Sequence, residues 1–242
     1  MDYTNSKMVA YTKLSPNHSG QRTHAIDRIT PHCVAGQCSV ETLGSIFAPS
    51  SRQASCNYGI GVDGQVGMYV EEKNRSWCSS SNANDQRAVT IECASDTKEP
   101  YWMNDKVYQA LIKLCVDICK RNGKKKLIWL GDKNKTLNYS PKSDEMVLTV
   151  HRWFANKSCP GDWLYSRLGD LASKVTAQLG GSSSGGTTAS GLYRVRKSWN
   201  DAKSQKDAFK SLDNAKRCAA SNPGYFVFDE NGRIVGATTS NT

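Results

Sequence analysis

One stretch without charge or large side chains divides the chain unevenly and limits what it can fold into. Residues 180–191 read Gly-Gly-Ser-Ser-Ser-Gly-Gly-Thr-Thr-Ala-Ser-Gly, a composition typical of a flexible tether. A tether of this length has an end-to-end distance of roughly 20 Å, from about 5–6 Å times the square root of its residue number. The sequence therefore predicts a large N-terminal domain over residues 1–179, a linker over 180–191 and a small C-terminal domain over 192–242.

Strand patterns and helix patterns alternate along the large domain. Strands are predicted over residues 25–30, 58–62, 65–70, 88–93, 126–130 and 146–150. The second and third of these flank Asp63-Gly64, a strong hairpin-turn signal. Apolar residues at helical spacing predict helices over residues 39–47, 104–121 and 163–179. Such alternation is typical of an α/β fold with a mixed central sheet flanked by helices.

The small domain has a different order of elements. A strand over residues 192–196, a helix over 204–220 and a hairpin formed by 225–229 and 233–236 predict a small α+β (βαββ) domain. A core of about fifty residues is marginal alone. We therefore expect a possible homo-oligomer formed through the C-terminal domain.

The formal net charge of +10 indicates an anionic partner. Nucleic acid and an anionic polymer surface such as a bacterial cell wall both meet that description. No RNA-binding or helix-turn-helix signature is present, and the basic residues are spread along the chain. No apolar run is long enough to span a membrane, and residues 1–7 are polar, unlike an export signal. We expect no membrane partner, no nucleic-acid partner and synthesis in the cytoplasm.

The cysteines do not form a recognisable framework. Their number, nine, is odd, and no Cys-x-x-Cys pair occurs, which argues against both a zinc ribbon and a fixed set of disulfides. Cys115 and Cys119 are four residues apart on a predicted helix, where we expect them to act as small buried hydrophobic residues.

The placement of the histidines suggests a metal site. His32 and His151 each follow an apolar strand, and Cys159 lies eight residues after His151. Three protein ligands with one open position form the catalytic type of zinc site, in which the bound water has a pKa of about 7. A histidine after a strand is more often a structural residue, so spacing alone suggests a zinc hydrolase without establishing it.

Such a hydrolase also needs a carboxylate to accept a proton and a cation near the developing oxyanion. Glu92 ends an apolar strand and should share a face with Thr90. Lys157, two residues before Cys159, is the candidate cation, although its position alone favours a solvated loop lysine.

Several motifs together resemble the type 2 N-acetylmuramoyl-L-alanine amidases, a family that includes T7-lysozyme-like enzymes and peptidoglycan recognition proteins. Residues 29–36, Ile-Thr-Pro-His-Cys-Val-Ala-Gly, resemble the family's first histidine motif. Residues 57–64 resemble its second strand and turn, residues 88–92 its glutamate strand, and residues 151–162 its closing motif. The resemblance covers about residues 22–179 in the family's order.

The resemblance implies a zinc ion held by His32, His151 and Cys159. It further implies Glu92 as general base, Lys157 as oxyanion stabiliser, and cleavage of the amide between N-acetylmuramic acid and L-alanine in peptidoglycan. Two positions depart from the family pattern: Cys33 replaces the second histidine of a pair, and Cys56 stands where T7-like members have a tyrosine. Asn57, Tyr58 and Trp77 are expected to line the substrate cleft.

The C-terminal segment faintly resembles a sporulation-related repeat, a module that binds peptidoglycan. Together with the linker, this favours an endolysin of a phage or prophage that reaches the host cell wall after holin-type release. Two alternatives remain: a non-catalytic peptidoglycan-recognition protein of the same fold, and a basic nucleic-acid-binding protein.

Overall fold

A computed structural model of the chain describes residues 3–180, 192–209, 212–230 and 232–237. Its contacts form two units, Met1–Gly186 and Thr187–Thr242. Within the described residues, no helix is both long enough and apolar enough to cross a bilayer.

The first unit is built on a seven-stranded mixed sheet. The strands of this unit are β1 (Val9–Thr12), β2 (His18–Gln21), β3 (Arg28–Cys33), β4 (Tyr58–Ile60), β5 (Val66–Met68), β6 (Asn74–Ser76), β7 (Ala88–Cys93), β8 (Lys126–Ile128) and β9 (Glu145–Leu148). The sheet order is β1-β5-β4-β7-β3-β9-β8, in which only β4 and β5 pair antiparallel. The two remaining strands, β2 and β6, form a separate antiparallel pair.

Six helices accompany this sheet among the described residues. They are α1 (Val40–Phe47), α2 (Asn82–Arg87), α3 (Asp105–Arg121), α4 (Lys133–Leu137), α5 (Gly161–Tyr165) and α6 (Leu168–Gln178). Buried residues of α3 and α6 share one core with alternate residues of β3 and β7, while α1 packs in a smaller cluster with Cys56 and Tyr69. The predicted α/β fold with a mixed sheet and flanking helices is thereby confirmed.

Side-chain caps explain why several helices begin where the sequence predicts. Ser39 accepts a hydrogen bond from the Thr42 amide before α1, and Asn104 accepts one from the Val107 amide before α3. The helix predicted over residues 163–179 is instead two helices. The Arg167 guanidinium lies 4.2 Å from the centre of the Trp163 ring and donates to the Trp163 carbonyl. In a continuous helix that carbonyl would accept from the Arg167 amide, which donates to the Leu164 carbonyl instead.

The second unit has one more strand than expected. Its elements are β10 (Tyr193–Arg196), β11 (Asp207–Phe209), α7 (Leu212–Ala220), β12 (Phe226–Phe228) and β13 (Ile234–Ala237), with sheet order β11-β10-β12-β13. The α+β class is confirmed, but the order is ββαββ, because residues 207–209 pair antiparallel with β10. Phe209 packs in the core of the unit, so long-range pairing overrides the local helical pattern there.

Candidate active site

Two neighbouring parallel strands supply the floor of the site. His32 on β3 and Glu92 on β7 are register partners. Ile91 and Cys93, which flank Glu92 on β7, face the core formed with α3 and α6. Because side chains alternate along a strand, Glu92 and its register partner His32 lie on the opposite face of the sheet. His32 is fully buried, and its Nδ1 lies 4.0 Å from Glu92 Oε1.

The loop after β9 closes on itself and brings two more side chains to this floor. The Arg152 amide donates to the Cys159 carbonyl at 3.1 Å. The Arg152 side chain also donates to the Ser158 carbonyl and to Asp162 Oδ1. Trp153 stacks on Trp129 with nearly parallel rings 5.2 Å apart. These contacts explain how residues eight apart in sequence come together at one point.

His32, His151 and Cys159 each offer a ligand atom, and the three atoms lie within 4.8 Å of one another. Cys159 Sγ is 3.2 Å from His32 Nδ1, and the rings of His32 and His151 are 5.1 Å apart. Ligand atoms around a tetrahedral zinc are separated by roughly 3.5 Å, because each bond is about 2.0–2.3 Å long. Burial, followed by the proximity of His151, holds the pKa of His32 well below its ordinary value. A neutral imidazole is the form that binds a metal, so the donor set fits zinc.

Glu92 has an environment suited to proton transfer. Its Oε2 is buried without a hydrogen-bond partner among the described residues. Burial raises its pKa to about 7, partly opposed by Arg52 and a contact with the Cys78 thiol, 3.9 Å from Oε1. A carboxyl group with a pKa near neutrality can both accept and donate a proton.

Cys33 lies beside Cys159 at the edge of the site. A hydrogen bond between the two thiols, followed by burial, raises the pKa of Cys159 well above its usual value. Cys33, which the resemblance aligned with a second histidine, thus contacts Cys159.

Above the floor is an open cleft of about 740 Å³, to which Glu92, His151 and Cys159 are exposed. Lys157 lies on its wall with an exposed side chain, and its charge contributes, after burial, to the lowered pKa of His151. Trp77 also lines the cleft, and its indole N–H donates to Ser19 Oγ at 2.6 Å. These positions are compatible with the roles expected from sequence.

The expectation that Asn57 and Tyr58 line the cleft is wrong. Both side chains are fully buried and neither lines the cleft. The Asn57 side chain accepts from Arg22 and from the Thr90 amide. The Tyr58 hydroxyl donates to Glu72 Oε1 at 2.7 Å. Their hydrogen-bonding capacity is used inside the fold, which leaves none for a substrate.

No sequence pattern indicates several of the residues that shape the site. Ser80 has a positive φ of 60°, and its Oγ lies 3.0 Å from His151 Nε2. Cys78, Arg52 and Arg75 line the cleft as well. Neither a Ser-rich loop nor an isolated arginine has a periodicity or spacing that would identify it as part of a site. Only folding brings these residues together.

Comparison with known proteins identifies the family. A family model described as N-acetylmuramoyl-L-alanine amidase matches residues 21–162. No curated protein sequence matches the chain.

Three similar solved structures illustrate the range of structural likeness. A selenomethionine derivative of AmpD is 17% identical with a TM-score of 0.49, covering 71% of this chain and 99% of its own. The Ph2119 endolysin from a Thermus scotoductus MAT2119 bacteriophage is 15% identical with a TM-score of 0.42, covering 64% and 90%. The amidase LysC from Clostridium intestinale URNW is 14% identical with a TM-score of 0.43, covering 72% and 96%.

The matched residues 21–162 make up more than half of the 242-residue chain. They include the whole cluster at the floor of the cleft and Lys157 on its wall. The chain therefore belongs to the N-acetylmuramoyl-L-alanine amidase family.

Proposed function

We propose that the chain is a zinc-dependent hydrolase that cleaves the amide between the lactyl group of N-acetylmuramic acid and L-alanine of the stem peptide. The observation that carries the proposal is the convergence of His32, His151 and Cys159 beside Glu92 at the floor of an open cleft. Family membership supports the substrate class, and the donor set supports the metal.

Zinc bound by His32, His151 and Cys159 would supply a Lewis acid and a water whose pKa is about 7. The protein's own groups do the remaining work. Glu92 accepts the proton of the attacking water and returns it to the leaving amine of L-alanine. The buried Glu92 carboxyl suits this exchange because its pKa of about 7 lies near the working pH.

Lys157 supplies positive charge from the wall of the cleft. As water attacks, negative charge develops on the carbonyl oxygen of the scissile amide. An ammonium group close to that oxygen stabilises the transition state more than the ground state. Ser80 would orient the imidazole of His151 through its contact with Nε2, as outer contacts commonly do for metal-binding histidines.

We also propose that the protein acts on the cell wall as an endolysin. The presence of a second unit with nine basic and five acidic residues after residue 187 supports wall association. Peptidoglycan is then both the substrate and the surface on which the enzyme works.

The test is digestion of purified peptidoglycan by the full chain. We expect release of stem peptides with new N-terminal L-alanine, loss of activity in a chelator and recovery on adding zinc. Glu92→Gln should reduce turnover by at least about a hundredfold, the usual size of a general-base contribution. Lys157→Gln should lower kcat with little change in bound zinc.

Glu41→Gln is the matched control, since Glu41 is exposed on α1, and it should keep full activity. New reducing ends in place of new N-terminal alanine would refute amidase chemistry. Full turnover by Glu92→Gln would refute the assigned base.

A further inference from the structure

The C-terminal unit has a sheet with two unlike faces. Val195 on β10 and Val227 on β12 are register partners and pack in one core with Ala215 and Ala219 of α7. Side chains alternate along a strand, so the neighbours of Val195 and Val227 point away from α7. The one α-helix among the described residues of this unit, α7, packs on the first face, and we call the second face, on which Trp199 contacts the buried Phe228, the open face.

Two arginines and an aromatic ring occupy the open face. Arg194 and Arg196 flank Val195, and their guanidinium carbons lie 5.9 Å and 5.2 Å from the centre of the Trp199 ring. Trp199 in turn contacts Phe228, the register partner of Arg194, with ring centres 5.9 Å apart. Contacts of a cation with a ring at these distances are attractive. The indole thus holds both guanidinium groups in place.

A second pair of cations lies at the end of the same strands but not on the open face, because Lys197 alternates with Arg196 along the chain and Tyr225 packs in the core beside α7. Lys197 follows β10 directly, and the Lys206 amide donates to the Val195 carbonyl just before β11. Their ammonium groups lie 5.8 Å and 5.3 Å from the centre of the Tyr225 ring. Both lysine side chains are exposed.

None of these four cations forms an ion pair with a carboxylate in the described part of the chain. Arg194 donates to the Leu192 carbonyl, and Arg196 donates to Gln205 Oε1 and the Trp199 carbonyl. Each guanidinium has five N–H donors, so both keep donors for an external group. Like charges held together without counter-charges favour binding of an anion.

We propose that Arg194 and Arg196, held by Trp199, form a binding surface for a phosphodiester-linked anionic polymer of the bacterial wall, and that Lys197 and Lys206 add positive charge at the strand ends. The proposal rests on the proposed wall association of this unit and adds a ligand class and the residues that bind it. Guanidinium groups match phosphate oxygens with two parallel hydrogen bonds. A polymer with one charge in every repeat can contact both guanidinium groups at once.

Two features favour this ligand over uncharged sugar or stem peptide. The faces of Trp199 and Tyr225 are already used by cations, which leaves less ring surface for stacking on sugars. The stem peptides are removed by the proposed reaction, so their carboxylates would be lost from the wall as digestion proceeds. A phosphodiester polymer is not consumed and would keep the enzyme on its substrate.

The test uses the full chain with Glu92→Gln, so that walls stay intact during binding. Walls that carry poly(glycerol phosphate) are divided, and one half is stripped of the polymer with hydrofluoric acid. We expect binding to the complete walls and to isolated poly(glycerol phosphate), with binding that weakens as salt increases. Adding Arg194→Gln and Arg196→Gln should raise the dissociation constant at least about tenfold, since charge-assisted hydrogen bonds to the polymer are lost.

The matched control is Lys203→Gln with Arg217→Gln, which removes the same charge from exposed positions of this unit outside the cluster, and it should bind as before. If the arginine variant fails to fold, Lys197→Gln with Lys206→Gln removes the same charge from exposed side chains and should also weaken binding. Hydrolysis of a soluble muropeptide, measured with Glu92 intact, should be unchanged in all these variants. Absence of that hydrolysis in the unmodified chain would overturn the proposed enzyme without affecting the binding result.

Three outcomes would overturn the proposed surface. One is equal binding to complete and stripped walls, or tighter binding to stripped walls that were first digested with the unmodified chain, either of which assigns the ligand to peptidoglycan. Another is unchanged binding by both charge variants. The third is binding of single-stranded DNA, at equal phosphate concentration, as tight as that of poly(glycerol phosphate).

Discussion

At the scale of single residues, Cys159 couples the proposed metal site to pH. The Cys33 thiol and burial raise the pKa of Cys159 well above its usual value, so the metal-free protein holds a proton on this sulfur at neutral pH. The ligand form of cysteine is the thiolate. His32 has no such competition, because burial lowers its pKa and keeps the ring neutral.

Zinc affinity should therefore increase with pH. Zinc-free protein carries a proton on Cys159 that zinc-bound protein lacks, and each displaced proton strengthens binding up to about tenfold per pH unit below the thiol pKa. Competition against a chromogenic chelator between about pH 6 and pH 8 measures this slope. Cys218→Ser, in the other unit, should leave the slope unchanged, whereas a flat profile in the unmodified chain would exclude a thiolate ligand.

Ser80 is a positioning residue whose effect should be seen first in metal binding. Its hydroxyl contacts His151 Nε2 at 3.0 Å, and loss of such an outer contact typically weakens metal affinity or activity about 10–100-fold. For Ser80→Ala we expect weaker zinc binding, with activity restored by excess zinc. Ser45→Ala on α1 serves as the control. Normal zinc affinity with reduced turnover would instead place Ser80 in contact with substrate.

At the scale of elements, a buried hydrogen-bond network joins the small β2–β6 pair to the central sheet. Arg22, directly after β2, donates to the Glu72 carbonyl and to Asn57 Oδ1. The same Oδ1 accepts from the Thr90 amide of β7, and Asn57 Nδ2 donates to the Val70 carbonyl at 3.2 Å. One amide side chain thus fixes the wall that carries Trp77 relative to the strand that carries Glu92.

Asn57→Ala should destabilise the first unit rather than impair substrate binding. It leaves the Arg22 guanidinium and the Thr90 amide with unsatisfied buried donors, which we expect to cost about 2–4 kcal/mol of unfolding free energy. Urea unfolding followed by tryptophan fluorescence measures the loss. Asn134→Ala, on the exposed side of α4, should change stability by less than about 0.5 kcal/mol. A raised KM at unchanged stability would restore the substrate-contact hypothesis for Asn57.

At the scale of the whole molecule, the division into two units separates chemistry from the proposed wall binding. All proposed ligands, the base and the oxyanion donor lie within the first unit. The second unit has its own core, although a unit of this size has limited stability alone. Self-association through its sheet edge or its helix face stays a prediction, which sedimentation of the full chain would test.

Removal of the residues after Gly180 should therefore weaken binding to intact walls while hydrolysis of soluble muropeptides continues. The reason is that the truncation removes the basic open face and leaves the cleft complete. Cosedimentation with walls and a soluble-substrate assay measure the two effects separately. Loss of the soluble activity would show that the catalytic unit depends on the second unit.

The sequence by itself determined many of the helices, strands and turns, because hydrophobic periodicity and turn residues are local signals. The Asp63-Gly64 hairpin, the capped helix α3 and the strand that carries Glu92 all follow from such patterns. The order of motifs indicated the family, and with it His32, His151 and Cys159 as ligands. Only the tertiary structure decided which side chains share a surface, since contacts distant in sequence leave no local pattern. It directed Asn57 and Tyr58 into buried networks and brought Ser80 to His151. In the tertiary structure residues 207–209 also pair as a strand with β10, and Arg194 and Arg196 lie together on the sheet face opposite α7.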